Sequence, residues 1–141
     1  MKTALTISLV AAAFFSVSAI AGPSNDDPFK GTDCKKAQTQ MELDYCAGRD
    51  FEAADKKLNT LYRKLMSGYD AKSQALLKTA EKSWLAYRDS ECEFETADSE
   101  GGSIQPMEDS ICLTEKTKAR IKELQTQSDC EEGDLTCNLP K

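Results

Sequence analysis

Six cysteines, Cys34, Cys46, Cys92, Cys112, Cys130 and Cys137, all follow an apolar leader, and no other feature constrains this chain as tightly. Lys2 precedes an apolar run from Ala4 to Val17, and Ala19-Ile20-Ala21 supplies a small-x-small cleavage signal. Residues 1–21 therefore read as a secretory signal peptide. That run is short for a membrane span, and no later segment approaches the twenty or so apolar residues a spanning helix needs. Gly22 and Pro23 follow the cleavage point, with no cysteine there to carry a lipid. Export places the chain in an oxidising space, periplasmic or secreted, where an even number of cysteines reads as three disulfides. Metal ligation is the weaker reading, because no C-x-x-C pair occurs and the spacings are long. Removing 21 of 141 residues leaves 120, about a third of them apolar, a thin supply for a core. Cross-links are expected to help hold it.

The charge balance narrows the chemistry. Eighteen Lys and Arg stand against 24 Asp and Glu, a formal charge of -6 with no histidine. An acidic chain is poorly suited to nucleic acid, where binding is driven by cations displacing counterions from phosphate. Without histidine there is no Ser-His-Asp triad, no Cys-His nucleophile pair and no histidine-ligated zinc. Any catalysis would rest on carboxylates, hydroxyls or thiols. The excess of acid is also localised. Glu91, Glu93, Glu95, Asp98, Glu100, Glu108 and Asp109 fall in one stretch that contains no Lys or Arg, and the rest of the exported chain is close to neutral.

Periodicity predicts an all-α fold of three helices, bundle-like and stapled by disulfides. Residues 22–33 contain Pro23 and Pro28, show no repeat and read as a flexible leader. Thr39-Gln40-Met41-Glu42 fits the S/T-x-x-E capping box. Leu43, Ala47, Phe51, Ala54, Leu58, Leu61 and Leu65 then recur at steps of four and three, predicting a helix to about Ser67, with Gly68 as its stop. A second helix begins at Asp70 or Ser73 and carries Leu76, Leu77, Ala80, Trp84, Tyr87 and Cys92 as its apolar stripe, fading by Thr96. Residues 97–105 are loop-like in composition, and Pro106 suits the first position of a third helix. Met107, Ile111, Thr117, Ile121 and Leu124 carry that helix to about Gln125, so the domain spans 34–126 and an acidic Cys-containing tail occupies 127–141.

Fifteen pairings of six cysteines are possible. The helical reading favours the sequential set: Cys34 with Cys46, Cys92 with Cys112, Cys130 with Cys137. Cys92 and Cys112 each fall roughly 6 to 9 Å from the facing ends of helices two and three, at 1.5 Å per residue, and so at one level of an antiparallel pair. A bridge there would close Glu93 to Ile111 into a preorganised segment tipped by Gly101-Gly102-Ser103. The tip either offers backbone amides and the Ser103 hydroxyl to a partner, or merely supplies unusual backbone angles for a turn. The acids likewise read either as a field that attracts a basic partner or as a solvated loop. Trp84 and Tyr87 are expected in the core, and Arg88 is expected as a partly buried cation paired with Glu42, Asp44 or Asp55. Glu131, Glu132 and Asp134 lack the D-x-D-x-D-G pattern of a calcium loop, so neither metal nor cofactor is expected.

Four stretches taken together resemble a known family. They are Cys34 to Ala47 with Thr39, Glu42, Asp44 and Cys46; Ala54-Asp55 with Leu58-Asn59 and Leu61-Tyr62; Trp84-Leu85-Ala86-Tyr87-Arg88-Asp89 ending in Cys92; and Gly101-Gly102-Ser103 with Cys112, Thr117 and Arg120. In this order they resemble the LprI-type lysozyme inhibitor domain. The resemblance implies a small secreted or periplasmic helical domain whose named member inhibits lysozyme. The Cys130/Cys137 tail and the missing lipobox depart from lipoprotein members. On this reading Glu93, Glu95, Asp98, Glu100, Gly101, Gly102, Ser103, Glu108 and Asp109 form the surface that meets a basic protein, a lysozyme, and the chain is not an enzyme. Two other readings stand beside it. One is a periplasmic binding or immunity module for a different basic protein. The other is a carboxylate-based glycosidase, which would need a cleft between two acids that three slim helices scarcely provide.

Overall fold

The computed structural model describes residues 27–129, and it contains three helices: α1, Gln40–Gly68; α2, Ala71–Glu95; and α3, Gln105–Ser128. The leader at residues 1–21 and the pair Cys130 and Cys137 lie outside the described residues. Residues 27–30 form a turn of their own, closed by the Lys30 N–H donating to the Asp27 carbonyl.

Each helix boundary has a local cause. Thr39 caps α1: its side chain accepts from the Glu42 N–H, while the Glu42 carboxylate accepts from the N–H groups of Thr39 (3.0 Å) and Gln38 (3.1 Å). Those backbone donors, with the Thr39 hydroxyl, hold the Glu42 carboxyl below its ordinary pKa. At the other end Gly68 is still helical, and extended backbone at Tyr69 ends α1. Asp70 then caps α2, accepting from the Ser73 N–H at 2.9 Å. Gln74 fastens the corner by donating to the Met66 and Tyr69 carbonyls left over at the end of α1.

The helices run up, down and up. Gln40 and Met107, at the starts of α1 and α3, are neighbours, while Leu65 and Leu124, near their ends, share one cluster, so α1 and α3 are parallel and α2 is the return leg. The apolar core is small and lies toward the α1–α2 corner, where Leu58, Leu65, Tyr69 and Leu124 are buried and Leu61, Leu77, Trp84 and Ile121 pack around them. α3 lies closely along α1, whereas α2 approaches α1 at few points.

Long polar side chains occupy the intervening layer. Arg88, 7% exposed, reaches Asp55 on α1 (3.6 Å) and Asp89 (2.8 Å), and its guanidinium stands 5.3 Å from the ring centres of both Phe51 and Trp84. Of the three acids the sequence offered as its partner, the structure selects Asp55. Arg120 on α3 pairs with Glu81 on α2, which is 8% exposed, and also lies against Trp84. Burial works against the charge on Arg120, but the hydrogen bonds it donates to the Glu123 and Glu81 carboxylates outweigh it and raise its pKa. Thr117, fully buried, stands beside Arg88.

The stripe expected for α2 needs correction. Leu77 and Trp84 do face inward, but Leu76 and Tyr87 are 61% and 51% exposed, and Glu81 and Arg88 complete the buried line instead. Both sets satisfy a helical repeat, and the charged residues win because each has a partner of opposite charge across the layer. Ile111, expected inside α3, is likewise exposed.

Candidate partner-binding end

The end of the molecule where α2 gives way to α3 is held by covalent and polar contacts. Cys92 and Cys112 form a disulfide with their Cα atoms 5.7 Å apart, as the level of the two residues in their helices required. Beside it, the buried Thr96 hydroxyl shares its one proton between the Cys92 carbonyl (2.8 Å) and the Asp109 carboxylate (2.5 Å), linking α2 to α3 a second time. A second disulfide, Cys34–Cys46, ties the segment entering α1 to its second turn.

The connection itself is more ordered than its composition indicates. Ala97–Ser99 form a turn of 3-10 helix, stabilised by the Ser99 N–H and hydroxyl donating to the Thr96 carbonyl. Gly101 adopts φ +73, which favours glycine, and its N–H donates to the Gln105 side chain. The Gly102 N–H donates to the Ser99 carbonyl, and a Cβ at Gly102 would come within 3.0 Å of that oxygen. Both glycine amides are thus engaged within the turn, and Ser103 beside them is exposed.

The acids sort into two groups. Glu95 pairs with Lys116 of α3 at 2.8 Å, and Glu91 lies 3.9 Å from the same ammonium. The hydrogen bond that Lys116 donates to Glu95 is the main cause of a raised Lys116 pKa. Asp109 accepts from Thr96. Glu93, Asp98, Glu100 and Glu108 form no ion pair among the described residues and are exposed. Glu108 sits in the first turn of α3, where the helix dipole favours a negative charge. Glu93 sits in the last turn of α2, where the dipole opposes one and no basic residue compensates. A cavity of about 380 Å³ opens beside the disulfide, and four carboxylates, Asp89, Glu93, Glu100 and Asp109, line it.

Phe94 is the notable residue that periodicity did not single out. It is 78% exposed among these acids, two positions beyond Cys92 and so on nearly the opposite side of α2 from α3. Its signal in the sequence was its place off the buried line. Glu81 was missed for the opposite reason: an acid inside an apolar repeat gives no sign of burial until Arg120 is placed opposite it. Among the described residues no group of His, Cys, Asp or Glu could hold a metal ion, and no helix is long and apolar enough to cross a membrane.

A small, disulfide-bonded, three-helix domain with its unbalanced negative charge at one end is the class of protein these features define. The profile of the family described as "Lysozyme inhibitor LprI" matches residues 32–124, from just before Cys34 to Leu124 in α3, and the chain belongs to that family. An uncharacterized protein of Rhizobium meliloti (strain 1021) is 39% identical over 105 residues, covering 65% of this chain and 76% of the relative. No solved structure matches.

Proposed function

We propose that this chain is an exported inhibitor that binds a basic, peptidoglycan-cleaving lysozyme through its acidic end and blocks it by occlusion, without doing chemistry. The contact surface is assigned to Glu93, Glu95, Asp98, Glu100, Gly101, Gly102, Ser103, Glu108 and Asp109. One observation carries the reading beyond family membership: four exposed carboxylates in this stretch lack a cationic partner among the described residues. Of the four only Glu108 sits where a long helix's dipole helps; a domain that needed acids only to fold would supply the others with partners. Such a field accelerates and orients encounter with a cationic surface. The Cys92–Cys112 bridge limits the conformational entropy lost on docking.

The same geometry supports a role without chemistry. Glycoside hydrolysis by two carboxylates requires one to hold a proton opposite the other. Among the described residues the most deeply buried acid, Glu81, is ion-paired with Arg120, and Asp89, Glu93 and Glu100 of the open cavity are exposed. Disulfides among the described cysteines fit an extracytoplasmic location, with residues 1–21 removed on export.

The test is lysozyme-catalysed clearing of bacterial cell walls with and without the oxidised protein. We expect inhibition that weakens with salt and falls by on the order of tenfold or more when Glu93, Glu95, Asp98 and Glu100 are replaced by glutamine. Failure to inhibit any lysozyme class, together with recovery of a different basic partner from periplasmic extract, would overturn the reading in favour of an immunity-type module.

A further inference from the structure

The two disulfides among the described residues stand in opposite surroundings. Cys92 and Cys112 are 3% and 7% exposed, whereas Cys34 is exposed and Cys46 only partly buried. Beside Cys34 a cavity of about 370 Å³ opens to solvent. The charges differ as well. The Glu95 Oε2 lies 3.2 Å from the Cys112 sulfur, and Asp89, Glu93, Glu100 and Asp109 line the cavity beside Cys92. Lys116 and Arg88 offset two of those five carboxylates. The cavity at Cys34 is lined instead by Lys35 and Arg49, neither of which has an ion-pair partner among the described residues, together with Asp33 and Asp50. Asp33 is engaged by the Lys36 ammonium at 3.6 Å and by the Lys35 N–H at 3.1 Å, which leaves Asp50 against two unpaired cations.

We propose that Cys34–Cys46 is a thiol-exchange site, at which a low-molecular-weight thiol attacks the Cys34 sulfur while Cys92–Cys112 stays closed. The attacking species is an anion, the thiolate, so both access and local charge govern where it reacts. Burial and a ring of acids shield the second bridge from it; an open cavity and two cations admit it to the first. Arg49 follows Cys46 by three residues on α1 and so lies on the same side of the helix, where it favours the negative charge that develops on the departing sulfur.

The step balances without any further reagent. The thiolate forms a bond to the Cys34 sulfur as the Cys34–Cys46 bond breaks, and the electron pair leaves on Cys46, which takes a proton from water. A second thiol then displaces the first from Cys34. Two thiols supply two electrons and depart as one disulfide, and the protein gains two thiols. Opening this bridge detaches residues 31–37 from α1 but leaves the Thr39–Glu42 cap in place, so the helix keeps its start. The proposal does not rest on the lysozyme reading.

Incubation of the folded, oxidised protein with excess glutathione tests it, with acid quenching, alkylation and peptide mass spectrometry along a time course. The expected result is glutathione on Cys34 with Cys46 alkylated, followed by alkylation of both. Cys92 and Cys112 should react slower by on the order of a hundredfold or more, because they require local opening first. In denaturant the two bridges should react at about the same rate. Lys35→Glu with Arg49→Glu should slow the first bridge by on the order of threefold or more at low salt, and the effect should shrink as salt is added. Circular dichroism, expected unchanged for these exposed positions, confirms that the variant is folded. Equal rates for the two bridges in the folded protein, or earlier opening of Cys92–Cys112, overturn the proposal. Glutathione on Cys46 overturns Cys34 as the point of attack, and a rate indifferent to the two charge reversals overturns the part assigned to the cations.

Discussion

The two ends of this domain are held together by different means. Toward the α1–α2 corner, Leu58, Leu65, Tyr69 and Leu124 exclude water in the ordinary way. At the α2–α3 end the residues shielded from solvent include Cys92, Cys112, Thr96 and Thr114, and the contacts are one disulfide, one shared hydroxyl proton and the Glu95–Lys116 ion pair. An end crowded with acids has little apolar surface to bury, and like charges brought together oppose compaction. A covalent link and a few directed hydrogen bonds can hold such an end without covering it.

Four perturbations break or sharpen that contrast. The largest effect is expected at the apolar end, where Leu124→Ala should cost about 4 kcal/mol and lower the melting temperature of the whole domain, read by calorimetry. Replacing Cys92 and Cys112 together by serine should cost about 3 kcal/mol, from the freedom returned to a loop of 20 residues in the unfolded chain. Unlike the leucine variant, it should also weaken lysozyme inhibition under conditions where the protein remains folded. Thr96→Val removes the hydroxyl that links the helices and should cost about 1 kcal/mol, with faster amide exchange near residues 96–109 and none near Leu65.

The smallest effect concerns pH at the capping box. The Glu42 carboxyl titrates lower in the folded state than in the unfolded chain, so its contribution is present above the unfolded value and lost as pH falls through the folded one. Wild-type and Glu42→Gln proteins should therefore differ in melting temperature at pH 6 and converge in acid below the ordinary glutamate range. A difference that persists unchanged there would show that the carboxylate does not act through its charge.

Much of the fold was legible because it depends on local rules. Thr39 and Glu42 announced the start of α1, Asp70 the start of α2 and Pro106 the start of α3, and each rests on backbone groups a few residues away. The Cys92–Cys112 pairing followed from helical rise and the length of the connection. The division of α2 into an inner and an outer line was not legible. Leu76 and Tyr87 keep helical spacing as faithfully as Leu77 and Trp84, and only the position of Asp55 and Arg120 on other helices decides that Arg88 and Glu81 turn inward. Burial of charge is a property of pairs, so a single strand of text conceals it. The site was legible to a similar degree. The sequence located the acids, but only the placement of Lys116 and Thr96 distinguishes the engaged carboxylates of Glu95 and Asp109 from the open ones of Glu93 and Asp98.

The chain has a single tryptophan, and it lies in the polar layer against the guanidinium groups of Arg88 and Arg120. Indole emission responds to the electric field around the ring, so the domain contains its own optical gauge at the seam where α2 meets the other helices. Light from Trp84 would register any loosening of that seam without a label and, placed away from the disulfide-bonded tip, would tell a motion of the whole helix apart from an event confined to the tip.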